Sequence, residues 1–291
     1  MPDDVTGPAP VFRTVTVSPG VNIAFEEWPT VGPRILFLHA TGFSRGCWRP
    51  HATRLASRAT PTLLDLRGHG SSSKPPEPYR WSHFVDDVVA LVLMEGWDRL
   101  ILCGHSVGGA TAIQVAARLP ERVSALVLVE AVVPQPTVSS DVVVTPSPLI
   151  ERTLRRRMRW DSKDKAAEYL RARAPYDSWD PAVFAAWVET GLTASADGGS
   201  ELSCPPWVEA SVFGETRGAG AAADLAQIRV PTWIARATGD RGMRSTCGPE
   251  VAHAIAGAQE VIVEGSGHFL PMEDIPLVVR LIDEACTATG G

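Results

Sequence analysis

The chain has 291 residues, an ordinary apolar fraction of 45% and a formal net charge of −6. That length suits one α/β domain with an insertion better than two independent domains. No basic stripe dominates, which excludes nucleic acid as a partner, and the acidic balance disfavours anionic membrane surfaces.

The first residues, Met1-Pro2-Asp3-Asp4, lack the basic start and apolar run of a signal peptide, and no apolar run approaches transmembrane length. Residues 12 to about 27 alternate as an antiparallel hairpin does. Residues 34–38 form a short apolar strand ending at His39, and 62–65 a second one ending in Asp65-Leu66-Arg67-Gly68-His69-Gly70. A helical pattern over 82–93 puts Phe84, Val85, Val88, Val89 and Val92 on one broad face. Strand 100–103 then leads into Gly104-His105-Ser106-Val107-Gly108, followed by a helix over 107–119 that Pro120 closes.

Residues 125–129 read as a strand ending at Glu130, with later strands at 232–235 and 261–263. Apolar strands alternating with helices predict a doubly wound, mostly parallel α/β sheet covered on both faces. The rhythm changes after Val133, where Pro134, Pro136, Pro146 and Pro148 break the chain. The expected division is a core of residues 1–133 and 229–291 with a helical cap inserted at 134–228. Asp180-Pro181 is a helix start, while 194–203 and 214–223 read as loops. Ile150, Leu154 and Met158 share a helix face. Arg152, Arg155, Arg156 and Arg157 lie mainly off it, and a solvated face is preferred there over an anionic-substrate site.

The five cysteines are scattered without Cys-x-x-Cys spacing, as reduced thiols are. Together with the N-terminus they make a cytoplasmic location the expectation. No metal cluster, Walker sequence or G-x-G-x-x-G register is visible, so neither a metal nor a nucleotide cofactor is expected.

A G-x-S-x-G between strand and helix forces its serine into a strained turn with Oγ exposed. A serine hydroxyl needs a base to take its proton, and the base needs a carboxylate to hold it. His268 follows the last strand in Gly267-His268-Phe269, at the carboxyl edge where open α/β sheets collect their sites. The other histidines compete poorly: His51 and His253 read as surface residues, His69 and His83 lack the placement, and His39 and His105 are expected to brace loops. Two carboxylates can hold His268. Asp240, beyond the 232–235 strand, is preferred, and Glu130, ending the 125–129 strand, is the alternative acid. Oxyanion donors are expected from the backbone N–H groups of Val107 and Thr41.

His39-Ala40-Thr41-Gly42-Phe43, Asp65 to Gly70, Gly104-His105-Ser106-Val107-Gly108-Gly109, Val230-Pro231 with Asp240, and Gly267-His268-Phe269 with Glu273 together resemble the α/β-hydrolase fold superfamily. The likeness is to its capped branch of esterases, lactonases, carbon–carbon bond hydrolases and cofactor-free haloperoxidases. The resemblance implies Ser106 as nucleophile, Asp240 as acid, His268 as base, and Thr41 and Val107 as oxyanion donors. Ala40 and Ala237 depart from the family pattern, which more often has glycine at both places. Ser106 stands where haloalkane dehalogenases and epoxide hydrolases have aspartate, which argues against those activities. The expected activity is cofactor-independent hydrolysis of a small to medium, largely apolar ester or lactone. Carbon–carbon hydrolysis by the same residues is the alternative, and a non-hydrolytic ligand-binding or cyclase member is a third reading. The expected pocket wall is Phe43, His105, Glu130, Trp160, Trp187 and Phe269.

Overall fold

The computed structural model describes residues 8–133, 147–214 and 221–290. The Met1–Asp4 stretch, Pro134, Pro136, Pro146 and part of the 214–223 loop lie outside them. The expected hairpin is present as β1 (Val11–Ser18) and β2 (Val21–Glu27). β3 (Arg34–Leu38) leads to α1 (Arg49–Leu55), and β4 (Thr60–Leu64) to α2 (Trp81–Glu95). β5 (Leu100–His105) runs into α3 (Val107–Arg118), followed by β6 (Val123–Val129).

The inserted segment carries α4 (Pro148–Leu154), β7 (Arg159–Trp160), α5 (Lys163–Arg171), α6 (Pro181–Gly191), β8 (Leu192–Ala194) and β9 (Ser200–Leu202). It ends with α7 (Pro206–Gly214) and α8 (Ala221–Asp224). The chain returns through β10 (Thr232–Ala237), α9 (Glu250–Ala254), β11 (Gln259–Val263), α10 (Leu270–Glu273) and α11 (Ile275–Ala288).

The main sheet has eight strands in the order β1-β2-β4-β3-β5-β6-β10-β11, parallel from β4 onward. Its central strands are apolar on both faces because both faces are covered. Phe84, Val88 and Ile113 of α2 and α3 pack on one face; Leu55, Val278 and Leu281 of α1 and α11 pack on the other. Each such fully buried side chain contributes about 1.5–3 kcal/mol through the hydrophobic effect. No helix among the described residues is long and apolar enough to cross a membrane.

The insertion has an aromatic core of its own. Trp160, Tyr176, Trp179, Phe184 and Trp187 bury against one another and against Phe43 and Phe269 from the core loops. Tyr176 and Trp187 have ring centroids 4.7 Å apart. The predicted start at Asp180 holds, its Oδ1 accepting from Ala182 N at 2.7 Å.

Three expectations fail here, the first being the end of the expected 214–223 loop, where Ala221–Asp224 is helical. Residues 194–203 are not a plain loop: β8 and β9 pair around a Ser195-to-Gly199 turn, and β9 also pairs with β7. Strands of three residues that bury only Leu192, Ser200 and Leu202 are too short to show alternation. The 150–154–158 stripe is also broken, because α4 stops at Leu154, which is 55% exposed.

Candidate active site

Ser106 sits between β5 and α3 with φ 56° and ψ −120°, a left-handed conformation that costs a non-glycine residue on the order of 1–3 kcal/mol. Close packing makes the turn possible. A Cβ on Gly104 would strike the Gly108 carbonyl and Gly109, and one on Gly108 would strike the carbonyls of Leu38 and His39. Ser106 N donates to Val129 O at 3.4 Å, which ties the turn to the end of β6.

His268, 4% exposed, places Nε2 3.0 Å from Ser106 Oγ. Its backbone is fixed from two sides: His268 N donates to Met243 O at 2.8 Å, and His105 Nε2 donates to His268 O at 2.7 Å. His105 therefore braces His268 from behind. Burial holds its imidazole well below the ordinary histidine range, in the neutral form.

The carboxylate beside His268 is Glu130, not Asp240. Glu130 is fully buried, and its Oε2 lies 3.3 Å from His268 Nδ1. Thr246 Oγ1, at 3.1 Å, faces the same nitrogen. A carboxylate only accepts, so Nδ1 carries the ring proton and Nε2 is left to accept from Ser106. Glu130 stands one residue beyond β6, with φ 48°, between the ends of β5 and β10. Ala237 N (2.6 Å), Ser245 Oγ (2.9 Å) and Thr246 N (3.4 Å) also donate to it.

Asp240 is exposed, and no hydrogen bond joins it to His268. The loop after β10 curls so that Ser245 N reaches Gly239 O, and the carbonyls of Arg241 and Met243 occupy the space beside Gly267. Glu130 and Thr246, not the Asp240 side chain, are the groups at His268 Nδ1. Thr246 was beyond sequence reasoning, since nothing local marks its hydroxyl.

The loop after β3 is braced by two neutral histidines. His39 Nε2 accepts from Leu66 N at 3.0 Å while Nδ1 donates to Ala40 O at 2.8 Å. His69 Nε2 accepts from Gly42 N at 3.0 Å while Nδ1 donates to Arg67 O at 2.9 Å. Burial lowers His39 to about 4 and His69 to about 3. Gly42 needs its φ of 83°, and a Cβ there would meet the Glu209 carboxylate. Neither Thr41 N nor Val107 N donates a hydrogen bond among the described residues. His51, expected on the surface, is instead fully buried, and burial drops it to about 3.

A cavity of about 700 Å³ opens on Ser106 and His268. Phe43 and Phe269 line it as expected, together with Thr41, but His105, Glu130, Trp160 and Trp187 do not. Glu130 and His105 lie behind His268, and the two tryptophans are consumed by the aromatic core of the insertion. In their place the wall carries Arg152, Arg155, Arg156, Arg157 and Arg173 with Glu151 and Glu209. The expected apolar wall is thus replaced on this side by a charged one. Arg155, Arg156 and Arg157 fall between the end of α4 and β7, where helical spacing no longer decides which way a residue faces.

The sequence model of the alpha/beta hydrolase family matches residues 35–280. The chain belongs to that family. Relatives within it include hydrolases and esterases. The 2-(acetamidomethylene)succinate hydrolase of Mesorhizobium japonicum is 33% identical over 99 residues, covering 34% of this chain and 36% of that protein. A bifunctional esterase/perhydrolase of Acinetobacter calcoaceticus is 32% identical over 123 residues, covering 41% of this chain and 45% of that protein. The chain thus aligns with less than half the length of either relative. A crystal structure of E-2-(acetamidomethylene)succinate hydrolase shares the alpha/beta hydrolase fold at TM-score 0.77 and 21% identity, over 96% of this chain and 100% of that one.

Proposed function

We propose that this chain is a cofactor-independent serine hydrolase that cleaves a carboxylic ester or lactone through an acyl-enzyme on Ser106. The observation that carries the reading is the relay from Ser106 Oγ to His268 Nε2 at 3.0 Å and from Nδ1 to Glu130 at 3.3 Å. As Oγ attacks the carbonyl, His268 takes its proton, and the buried Glu130 carboxylate stabilises the imidazolium. Thr41 N–H and Val107 N–H hold the oxyanion, each such donor being worth about 3–4 kcal/mol in the transition state. Collapse expels the alcohol, protonated by His268. The same nitrogen then deprotonates water, which attacks the acyl carbon and frees Ser106. In this reading the insertion over 134–228 caps the core of 1–133 and 229–291, and a cavity of this size suits a small-molecule substrate.

The test is hydrolysis of a p-nitrophenyl acyl ester series by wild type and Ser106→Ala, with a fluorophosphonate adduct read by intact mass. Turnover and an adduct on Ser106, both lost in the variant, support the reading. A folded wild type that neither reacts with the probe nor cleaves any ester removes it.

A further inference from the structure

The five arginines of the cavity wall are not used by the hydrolytic relay, and no surface need accounts for Arg156. Its Nη2 pairs with Glu209 Oε2 at 2.6 Å, and Glu209 in turn abuts Gly42 of the oxyanion loop. Burial pushes the Glu209 carboxyl up, opposed by the charges of Arg156 and Arg152. Arg156 Nε is nevertheless buried without a hydrogen-bond partner among the described residues. An unmatched buried donor on a guanidinium is costly unless something supplies the acceptor. The surroundings add to the demand, since five arginines share this wall with two glutamates. Arg157 and Arg173 are partly occupied, stacked on Trp160 and Tyr169 and bonded to the carbonyls of Arg159 and Tyr169. Arg152 and Arg156 are the two whose charge converges on Glu209.

We propose that the acyl substrate carries a carboxylate at the end remote from the scissile carbonyl, as in a monoester of a dicarboxylic acid, and that Arg152 and Arg156 receive it. The proposal rests on the hydrolytic reading above and narrows it to a substrate class. A guanidinium fork matches a carboxylate in two parallel hydrogen bonds. The carboxylate would give Arg156 Nε its acceptor and offset the positive excess of the wall.

The experiment compares p-nitrophenyl hydrogen glutarate with its neutral methyl ester, which has the same acyl length. Each is assayed with wild type, Arg152→Gln and Arg156→Gln. Wild type is expected to favour the carboxylate substrate in kcat/KM by about tenfold or more, and the ratio is expected to fall toward one in either variant and at high salt. A wild type that prefers the neutral ester, or a preference that survives in both variants, overturns the proposal. Arg152 is exposed, so Arg152→Gln keeps the test decisive should Arg156→Gln fail to fold. If no ester is cleaved, thermal stabilisation by glutarate and by inorganic phosphate separates the two readings. Stabilisation by glutarate that Arg152→Gln abolishes keeps the carboxylate site while the hydrolytic reading falls. Equal stabilisation by phosphate, or none by glutarate, overturns the carboxylate site.

Discussion

On the sheet side of the cavity, Ser106, His268 and Glu130 stand at strand ends, and each is held by backbone hydrogen bonds as well as by its neighbours. On the insertion side, Arg152, Arg155 and Arg156 come from a seven-residue helix and the turn after it. The geometry of the first wall follows from the sheet; the second rests on a short helix packed against α7 and carries charge. In the proposed reading, chemistry falls to the strand ends and selection to the insertion.

The largest expected effect breaks the sheet side alone. Ser106→Ala should lower kcat for any ester by roughly five to six orders of magnitude, with the cavity still able to bind ligand. Glu130→Gln should cost about 10⁴-fold in kcat, since the amide no longer fixes the Nδ1 tautomer or supports the imidazolium. Retention of near wild-type turnover would transfer the acid's role elsewhere.

Trp187→Ala addresses the insertion side. The side chain is fully buried against Tyr176, Trp179 and Phe184, so truncation should cost about 3–5 kcal/mol in urea unfolding. An unchanged midpoint would mean that the aromatic cluster does not hold the insertion in place.

Acid should act on the sheet side through His39. Folding lowers it from 6.5 to about 4, so the unfolded chain binds the proton first. The stability this gives is complete above about pH 6.5 and is lost as pH falls toward 4, by roughly 3 kcal/mol. Denaturation midpoints followed from pH 7 to 4 should show a shallower fall for His39→Gln than for wild type. Parallel curves would remove His39 from the account.

The smallest effect is expected at Asp240→Asn, which should change kcat/KM by no more than about twofold, because the side chain is exposed and unconnected to His268. A loss as large as that of Glu130→Gln would restore Asp240 to the relay.

These contrasts track what was legible in the sequence. The parallel sheet, the serine turn and His268 were readable because each is a local pattern: an apolar run, a glycine spacing, a loop after the last strand. The choice between Glu130 and Asp240 was not local. Glu130 lies beside His268 Nδ1 while Asp240 stays exposed, and that follows from the path of the loop from Gly239 to Thr246, which no local pattern encodes. The arginine wall was hidden for a related reason. A charged run looks the same whether it faces water or a cavity, and α4 ends in the middle of it. Tryptophans gave the opposite error, since a large ring satisfies a core as readily as a pocket, and Trp160 and Trp187 serve the core.

The bond from His105 to the His268 carbonyl has a mechanical meaning. His105 is the residue immediately before Ser106, so the backbone that carries His268 is fastened to the turn that carries the serine. In the proposed reading, the two partners of the proton transfer thus share one anchor on the sheet side, and the charged wall opposite has no part in it.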